Sequence, residues 1–427
     1  MKTDGVRTAT WSACVGGLML CGGGWAVPVP LDNPFLLTSD SCGIDSCADQ
    51  DPVVAGSPGG RFLVSWVRHD AHAPGSAILL ARLFRSSGKA PRPEIEVNSG
   101  LPPFAHPPAV ALAANGSYLV TWSNGSFNPD AALARRLTGN GVPTGDPFAI
   151  AGAVSTIGGG QETANERPAI SASPDDGFVV AWINFYPPFE FFDGSPPAVV
   201  AQRFDASGTP LGNVIGVNAT AGTVGNGGPA VCTDSDGGTV VAWVSARSHL
   251  LPQVPPQGAG VSARHLGADG NPAGGEILIA PPTGQQAAVA VGCGGRGSFL
   301  VVWQSDQAPG ARGTTILAQE FNRAGHPIGG GPHQINATGR GNQQSPALSR
   351  GPDGTFVVVW ENEMPHGGRL LARRVAGNGV PLSDEFEVVT GLDLGQHPRI
   401  SHYGAAGNFI VVWSQANRLF ARRYAPE

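Results

Sequence analysis

Charge is scarce in this sequence. Asp, Glu, Lys and Arg make up 14% of its 427 residues, against about 25% in an average soluble domain. Lysine is almost missing, with Lys2 and Lys89 the only two. Long surface helices draw on Lys, Glu and Ala, so helical bundles and coiled coils are excluded. Beyond the first 26 residues, no stretch approaches the ~20 apolar residues of a membrane span. Glycine shows no three-residue period, which excludes collagen. Net charge is −6 and no basic stripe exists, so nucleic acid is not an expected partner.

Punctuation is what the chain has in plenty. Its 62 Gly and 38 Pro separate recurring Val/Ile/Phe/Trp clusters, and those clusters argue against disorder. The composition fits an all-β protein with many turns.

Residues 1–26 read as an export signal. Lys2 and Arg7 give a positive start, Trp11 to Leu20 a Gly-diluted apolar stretch, and Ala26 a small residue before a cut. The expected location is the periplasm, cell surface or extracellular space. Cleavage there removes Cys14 and Cys21 and leaves Cys42, Cys47, Cys232 and Cys293. An even count suits an oxidising compartment. Cys42 and Cys47, in a loop-like Ser-Cys-Gly-Ile-Asp-Ser-Cys run, are expected to pair. Cys232 and Cys293 hold related positions in neighbouring repeats, compatible with a bridge or with two buried thiols.

The repeat is the main signal. Seven tryptophans close near-identical apolar runs: Trp66, Trp122, Trp182, Trp243, Trp303, Trp360 and Trp413, spaced by 56, 60, 61, 60, 57 and 53 residues. Examples are Phe62-Leu-Val-Ser-Trp, Phe178-Val-Val-Ala-Trp and Phe356-Val-Val-Val-Trp. Such β-branched and aromatic runs bounded by Gly are strands, and their unbroken apolarity predicts burial on both faces. A partner precedes most of them, as in Pro108-Ala-Val-Ala, Pro168-Ala-Ile-Ser and Pro346-Ala-Leu-Ser. Its Pro is expected at the first strand position, where a missing donor costs least. A third strand follows, as in Leu133-Ala-Arg-Arg-Leu and Val200-Ala-Gln-Arg-Phe, then a turn Gly such as Gly141 or Gly208. A fourth closes the unit, as in Glu94-Ile-Glu-Val and Pro147-Phe-Ala-Ile.

Four strands per repeat of about 58 residues match a propeller blade. The last repeat stops after its third strand, and Asn33-Pro-Phe-Leu-Leu resembles Asp146-Pro-Phe-Ala-Ile of the second copy. The expected fold is all-β: a seven-bladed β-propeller of four-stranded blades over residues 27–427, closed by an N-terminal strand that completes the last blade. The repeat resembles the Val-Val-x-Trp, Ala-Gln-Arg-Phe-x-x-x-Gly-x-Pro repeats of secreted or surface-exposed bacterial proteins, many of unknown function. That resemblance implies architecture and no catalytic residue. WD-type repeats do not fit, since no Trp precedes Asp, and Ser173-x-Asp175-x-Gly177 sits too far from Trp182 for a sialidase Asp-box.

Propeller strands alternate in direction, so first-to-second and third-to-fourth turns share one face, and these are uniform. The opposite face carries connections that vary. Trp to the next strand's Ala runs 15, 12, 19, 20, 15, 12 and 8 residues. Variable loops on a rigid scaffold are where sites are built. The third copy's loop holds Phe185, Tyr186, Phe189, Glu190, Phe191, Phe192 and Asp193, an aromatic cluster suited to a sugar or protein surface. His69, Asp306, Glu361 and Glu363 fall near the same face as further candidate ligand contacts. His69-Asp70-x-His72 is read as a solvated loop and not a metal site. Asp234-x-Asp236-Gly237 is read as a turn and not a calcium loop. Asn218-Ala-Thr and Asn336-Ala-Thr match a glycosylation pattern that matters only in a eukaryotic secretory host. The resulting expectation is an exported, monomeric, non-catalytic binding or scaffold propeller with a protein or carbohydrate partner and no cofactor. The alternative is an extracellular hydrolase or lyase using acidic residues at the propeller mouth.

Overall fold

Each Trp-terminated run forms the second strand of a four-stranded antiparallel blade. The computed structural model describes residues 26–38, 47–70, 72, 77–98, 107–123, 132–150, 164–185, 198–218, 223–224, 228–246, 258–307, 313–337, 339–365, 367–392 and 397–426. The second strands are Phe62–Asp70, Tyr118–Ser123, Phe178–Phe185, Thr239–Ala246, Phe299–Ser305, Phe356–Glu363 and Asn408–Gln415. In every blade the second strand lies between the strand preceding it in sequence and the third strand, which in turn pairs with an outer strand. The seven inner strands contact one another in cyclic order, blade 7 meeting blade 1, so the ring is closed around a central channel. No helix among the described residues is long and apolar enough to cross a membrane.

Unbroken apolarity in the second strands has a direct cause. Phe356, Val358 and Trp360 pack against Leu300, Val302 and Ile316 of blade 5. The alternate residues Val357 and Val359 pack against Phe409, Val411 and Trp413 of blade 7. Each strand is a wall between two interfaces and has no wet face. Six of the seven tryptophans are among the largest fully buried side chains, and Trp243 is 2% exposed. Burying a large apolar side chain stabilises by roughly 1.5–3 kcal/mol, so the blade interfaces carry most of the fold's stability.

The N-terminus completes blade 7. Val29–Pro30 and Phe35–Leu36 both pair with its third strand, Arg418–Ala425. Asp32 reinforces the closure by accepting Arg423 Nε at 2.7 Å. Phe35 plays the part of Phe148 in blade 2. Each ring lies against the turn glycine of the following blade, Gly88 and Gly208 respectively. Gly208 has φ of 80°, and a Cβ there would come within 2.5 Å of the Phe148 ring. Glycine is therefore required both for the left-handed backbone and for the close approach.

A latch joins successive blades. An Arg on the third strand donates Nη1 to a carbonyl in the previous blade's outer strand or just after it. The pairs are Arg82 to Leu37 at 3.0 Å, Arg135 to Val97 at 3.0 Å, Arg264 to Val217 at 2.9 Å, Arg373 to Ile335 at 2.8 Å and Arg422 to Val388 at 2.8 Å. Blades 3 and 5 carry Gln202 and Gln319 instead. These shorter amides reach carbonyls of their own blades, Gly212 at 3.1 Å and Ile328 at 2.7 Å. At the seam between blades 4 and 5, Cys232 and Cys293 form a disulfide across the two inner strands, with Cα atoms 5.5 Å apart. Cys47 is also disulfide-bonded; Cys42 lies outside the described residues. Disulfides fit an oxidising compartment.

The inner strands correct one expectation. In blades 1, 3 and 6 they begin before the Pro, at Cys47, Ala164 and Asn342. The Pro follows a bulge, where the pairing register shifts. The residue ahead of it is left-handed: Asp51 (φ 53°), Arg167 (53°) and Ser345 (53°), with Ala288 (44°) and His397 (39°) at the corresponding places in blades 5 and 7. A bulge leaves one residue unpaired and bends its strand. It also tolerates the missing Pro donor as well as a strand start would.

Candidate functional site

The two faces of the ring differ in how their backbone is satisfied. On one face, first-to-second and third-to-fourth turns share one hydrogen-bond pattern. Ser173 N–H donates to Gly177 O at 2.8 Å, and Asp205 N–H to Thr209 O at 2.9 Å. Short polar side chains saturate these turns. Asp205 Oδ1 accepts Ser207 N–H at 2.7 Å and Thr209 N–H at 2.9 Å, and hydrogen bonds, led by the Ser207 hydroxyl, hold its carboxyl below the usual range. Asp234 Oδ1 likewise accepts Asp236 and Gly238 N–H, both at 2.9 Å, and Arg323 bonds Asp236 at 2.9 Å. This is turn chemistry, with no arrangement for a calcium ion.

The opposite face carries the variable connections, which start where the second strands end. Phe185 is the last residue of the blade 3 second strand, and Ala198 opens the third. Tyr186, Phe189, Glu190, Phe191, Phe192 and Asp193 fall between them, outside the described residues. His69 pairs in register with Ala48 and Ala77 and is half-buried. Asp306 is exposed and accepts Gln285 N–H and Gln307 Nε2, both at 2.9 Å. Glu363 accepts Asn342 Nδ2 at 3.2 Å. Glu361 is fully buried and engaged, on the side of the strand turned toward blade 7. Asp306 and Glu363 thus bond to different amides of their own blades. Among the described residues, no group of three or more His, Cys, Asp or Glu is placed to hold a metal ion.

Just inside this face, polar residues anchor the tryptophans. Trp66 Nε1 donates to Asp49 at 3.0 Å, Trp303 to Gln286 at 3.1 Å and Trp360 to Gln343 at 2.8 Å. In these three the acceptor lies 17 residues earlier, whereas Trp413 donates to Gln415 at 3.4 Å. Sequence reasoning missed this pairing, although Asn165 and Asn226 repeat the same offset before Trp182 and Trp243. Asn336 is 2% exposed and accepts Ile316 N–H at 2.8 Å. It caps an edge strand and is closed to a glycosyltransferase.

Sequence reasoning also missed one odd residue on the inner strands. The inner-strand residues paired with the position before each Trp are Val53, Ala109, Ala169, Ala230, Ala290, Ala347 and Arg399. Six are small or medium and apolar; the seventh is arginine. Arg399 Nη1 donates to His397 O at 3.3 Å and Pro398 O at 3.1 Å. His397 Nδ1 lies 3.1 Å from Ser345 Oγ of blade 6. The readable signal was the charge in Pro398-Arg-Ile, where four copies have Pro-Ala-Ile, Pro-Ala-Val or Pro-Ala-Leu, the first has Pro52-Val-Val and the fifth Val289-Ala-Val.

No family model and no curated protein matches the sequence. Solved structures do resemble the fold. The polysaccharide lyase Uly1 superposes with a TM-score of 0.52 at 10% identity, covering 93% of this chain and 99% of that one. A protein of unknown function from Dyadobacter fermentans gives 0.49 at 9% identity, covering 92% and 98%. An α-L-arabinanase from Penicillium chrysogenum complexed with arabinobiose gives 0.48 at 14% identity, covering 75% and 92%. At such identities the likeness extends to the propeller fold alone.

Proposed function

We propose that this propeller is an exported, non-catalytic binding or scaffold module that engages a glycan or protein through its variable-loop face. The observation that carries the reading is the contrast between faces. One is built of short turns of a shared hydrogen-bond pattern, tied to one another between neighbouring blades. The other receives every connection of variable length. Latches and a disulfide hold the seams, so loops displayed there sit on a fixed frame, the usual setting for recognition. In sequence, the connection after Phe185 carries the aromatics Tyr186, Phe189, Phe191 and Phe192 with the acceptors Glu190 and Asp193, residue types suited to a sugar ring or a protein surface. The disulfide-bonded cysteines and the signal-like residues 1–26 support export. The catalytic alternative gains no support from Asp306 and Glu363, each engaged by a different amide.

The test is a glycan array and a secretome capture with the wild type and a Phe189→Ala/Phe191→Ala/Phe192→Ala variant. Ligands retained by the wild type should be lost by the variant while the unfolding midpoint stays put. Equal retention by both proteins would refute the aromatic face.

A further inference from the structure

Two seams show how turn side chains close the uniform face between blades. Between blades 1 and 2, Ser57 bonds the Tyr118 hydroxyl and Arg61 donates to Asn140 at 2.6 Å. Between blades 4 and 5, Arg323 reaches Asp236 at 2.9 Å and Asp234 at 3.4 Å. The seam between blades 6 and 7 has none of these groups. By strand register, Gly351 stands where Ser57 and Asp234 stand, Phe409 where Tyr118 stands, and Pro426 where Arg323 stands. A cavity of about 280 Å³ remains there.

The floor of this cavity is polar and its walls are not. Arg374 and Asp353 form an ion pair. Thr355 Oγ1 ties them, accepting Arg374 Nε at 3.2 Å and donating to Asp353 at 2.9 Å. Burial pushes the Asp353 carboxyl up, but bonds from Thr355 and Arg374 outweigh it and keep the group ionised, below its usual range. His402, tilted against the Phe409 ring at 5.6 Å, is neutral because burial lowers it to about 4. The floor therefore carries no net charge. Ser349 Oγ accepts the His402 backbone N–H at 3.0 Å and lies 2.9 Å from ring Nδ1. The hydroxyl proton goes to Nδ1, so the ring proton sits on Nε2. Among the described residues that N–H has no acceptor. Nε2 and Asp353 Oδ1 both face the space that Gly351 leaves: a Cβ there would lie 3.3 Å from the first and 2.7 Å from the second. Pro28, Pro426 and Val357 line the walls, and the exposed Pro352 and Ala406 mark the open side.

A neutral floor favours a neutral ligand, since an ion entering it would lose water without gaining a free counter-charge. A hydroxyl is the group that accepts from Nε2–H and donates to Asp353 at once. The volume lies just below the roughly 300–1,000 Å³ of drug-sized pockets and suits one small ring. Its C–H faces would meet the prolines, and its outer hydroxyls would stay in water. From this we infer that the cavity between the first turns of blades 6 and 7 binds a single neutral monosaccharide ring, held by a hydroxyl between His402 and Asp353. The site lies on the uniform-turn face, so it stands independently of the variable-loop reading.

The full chain carrying Phe189→Ala/Phe191→Ala/Phe192→Ala is the background, so that the aromatic loop contributes nothing. It is titrated at neutral pH with D-glucose, D-galactose and D-mannose, and binding is read by saturation-transfer NMR. Tetrahydropyran is the ring without hydroxyls, and D-glucuronate is the charged control. At least one of the three sugars should bind, and both controls should bind more weakly. Gly351→Ala gives blade 6 the residue that blade 2 carries at Ala113. Gly351 is not left-handed, so the fold should persist. The new methyl group fills the space before Nε2 and should weaken binding by about tenfold or more. His402→Phe keeps a ring beside Phe409 and removes the donor. Losing one hydrogen bond predicts a weakening of about tenfold. Unfolding midpoints are read for both variants, and a variant that keeps the background midpoint decides. The inference is overturned if none of the three sugars binds, if tetrahydropyran or D-glucuronate binds as tightly, or if a folded Gly351→Ala or His402→Phe variant keeps its affinity.

Discussion

Breaking the Cys232–Cys293 bridge should loosen one seam of the ring and spare the other six. The bridge spans 61 residues of chain. Restricting a loop of that length in the unfolded chain stabilises the fold by about 4 kcal/mol. The seam has no second fastening of the usual kind, because Gln319 of blade 5 bonds within its own blade. The perturbation is Cys232→Ser/Cys293→Ser. Unfolding entropy of about 2.1 cal/mol/K per residue over 427 residues converts the loss to a fall in Tm of about 5 °C. Urea titration followed by tryptophan fluorescence suits the measurement, since the blade tryptophans are buried in the seams.

A rescue distinguishes the proposed cause from general damage. Gln319→Arg in the double-Ser background should let blade 5 reach the outer strand of blade 4 near Ala280, which is buried like the latch residues Val217 and Ile335. A hydrogen bond from a charged donor is worth about 1.5–3 kcal/mol, less the cost of ordering the side chain, so recovery of about 1–2 kcal/mol is expected. The reasoning fails if the double-Ser protein unfolds within about 0.5 kcal/mol of the wild type, the range of ordinary surface substitutions. It also fails if Gln319→Arg gives no recovery.

Two further predictions rest on packing and titration. Burial lowers His402 from 6.5 to about 4, with Asp353 opposing and Arg374 assisting the shift; Ser349 Oγ meets its Nδ1 at 2.9 Å. The folded ring stays neutral while the unfolded chain takes up a proton. Stability is therefore full above pH 6.5 and falls by about 3 kcal/mol as pH drops through the window down to 4. His402→Gln should flatten the urea midpoint across that window, and an unchanged slope would place the pH sensitivity elsewhere. Gly208→Ala should cost about 1–3 kcal/mol through left-handed strain and overpacking. Adding Phe148→Ala should recover part of that loss in a double-mutant cycle, and strict additivity would refute the contact.

Most of the architecture was legible because a propeller repeats its physics. A strand buried on both faces must be apolar throughout, so seven Trp-terminated runs announce seven walls. The closing strand could be read from Asn33-Pro-Phe because the ring requires a phenyl group against Gly88, as Phe148 lies against Gly208. The bulges were not legible. A Pro at a strand start and a Pro after a bulge are identical in sequence, and only the register shift separates them. The Arg of the third strand could be read as an alternation of polar and apolar residues, but its reach to the previous blade could not. A carbonyl acceptor leaves no trace in side-chain identity.

Repetition also tells where function is written. A residue kept in every blade serves the blade, as the tryptophans and turn glycines do. Departures answer to something that happens once. Gln202 and Gln319 both depart from the latch, and the disulfide Cys232–Cys293 lies at the seam of the second. Arg399 departs from the Ala or Val of the other six inner strands and turns Nη1 onto the carbonyls of His397 and Pro398. The connection after Phe185 departs in length and in aromatic content. The recognition proposed for this ring is therefore to be sought among such departures, and not in the blade cores that every copy repeats.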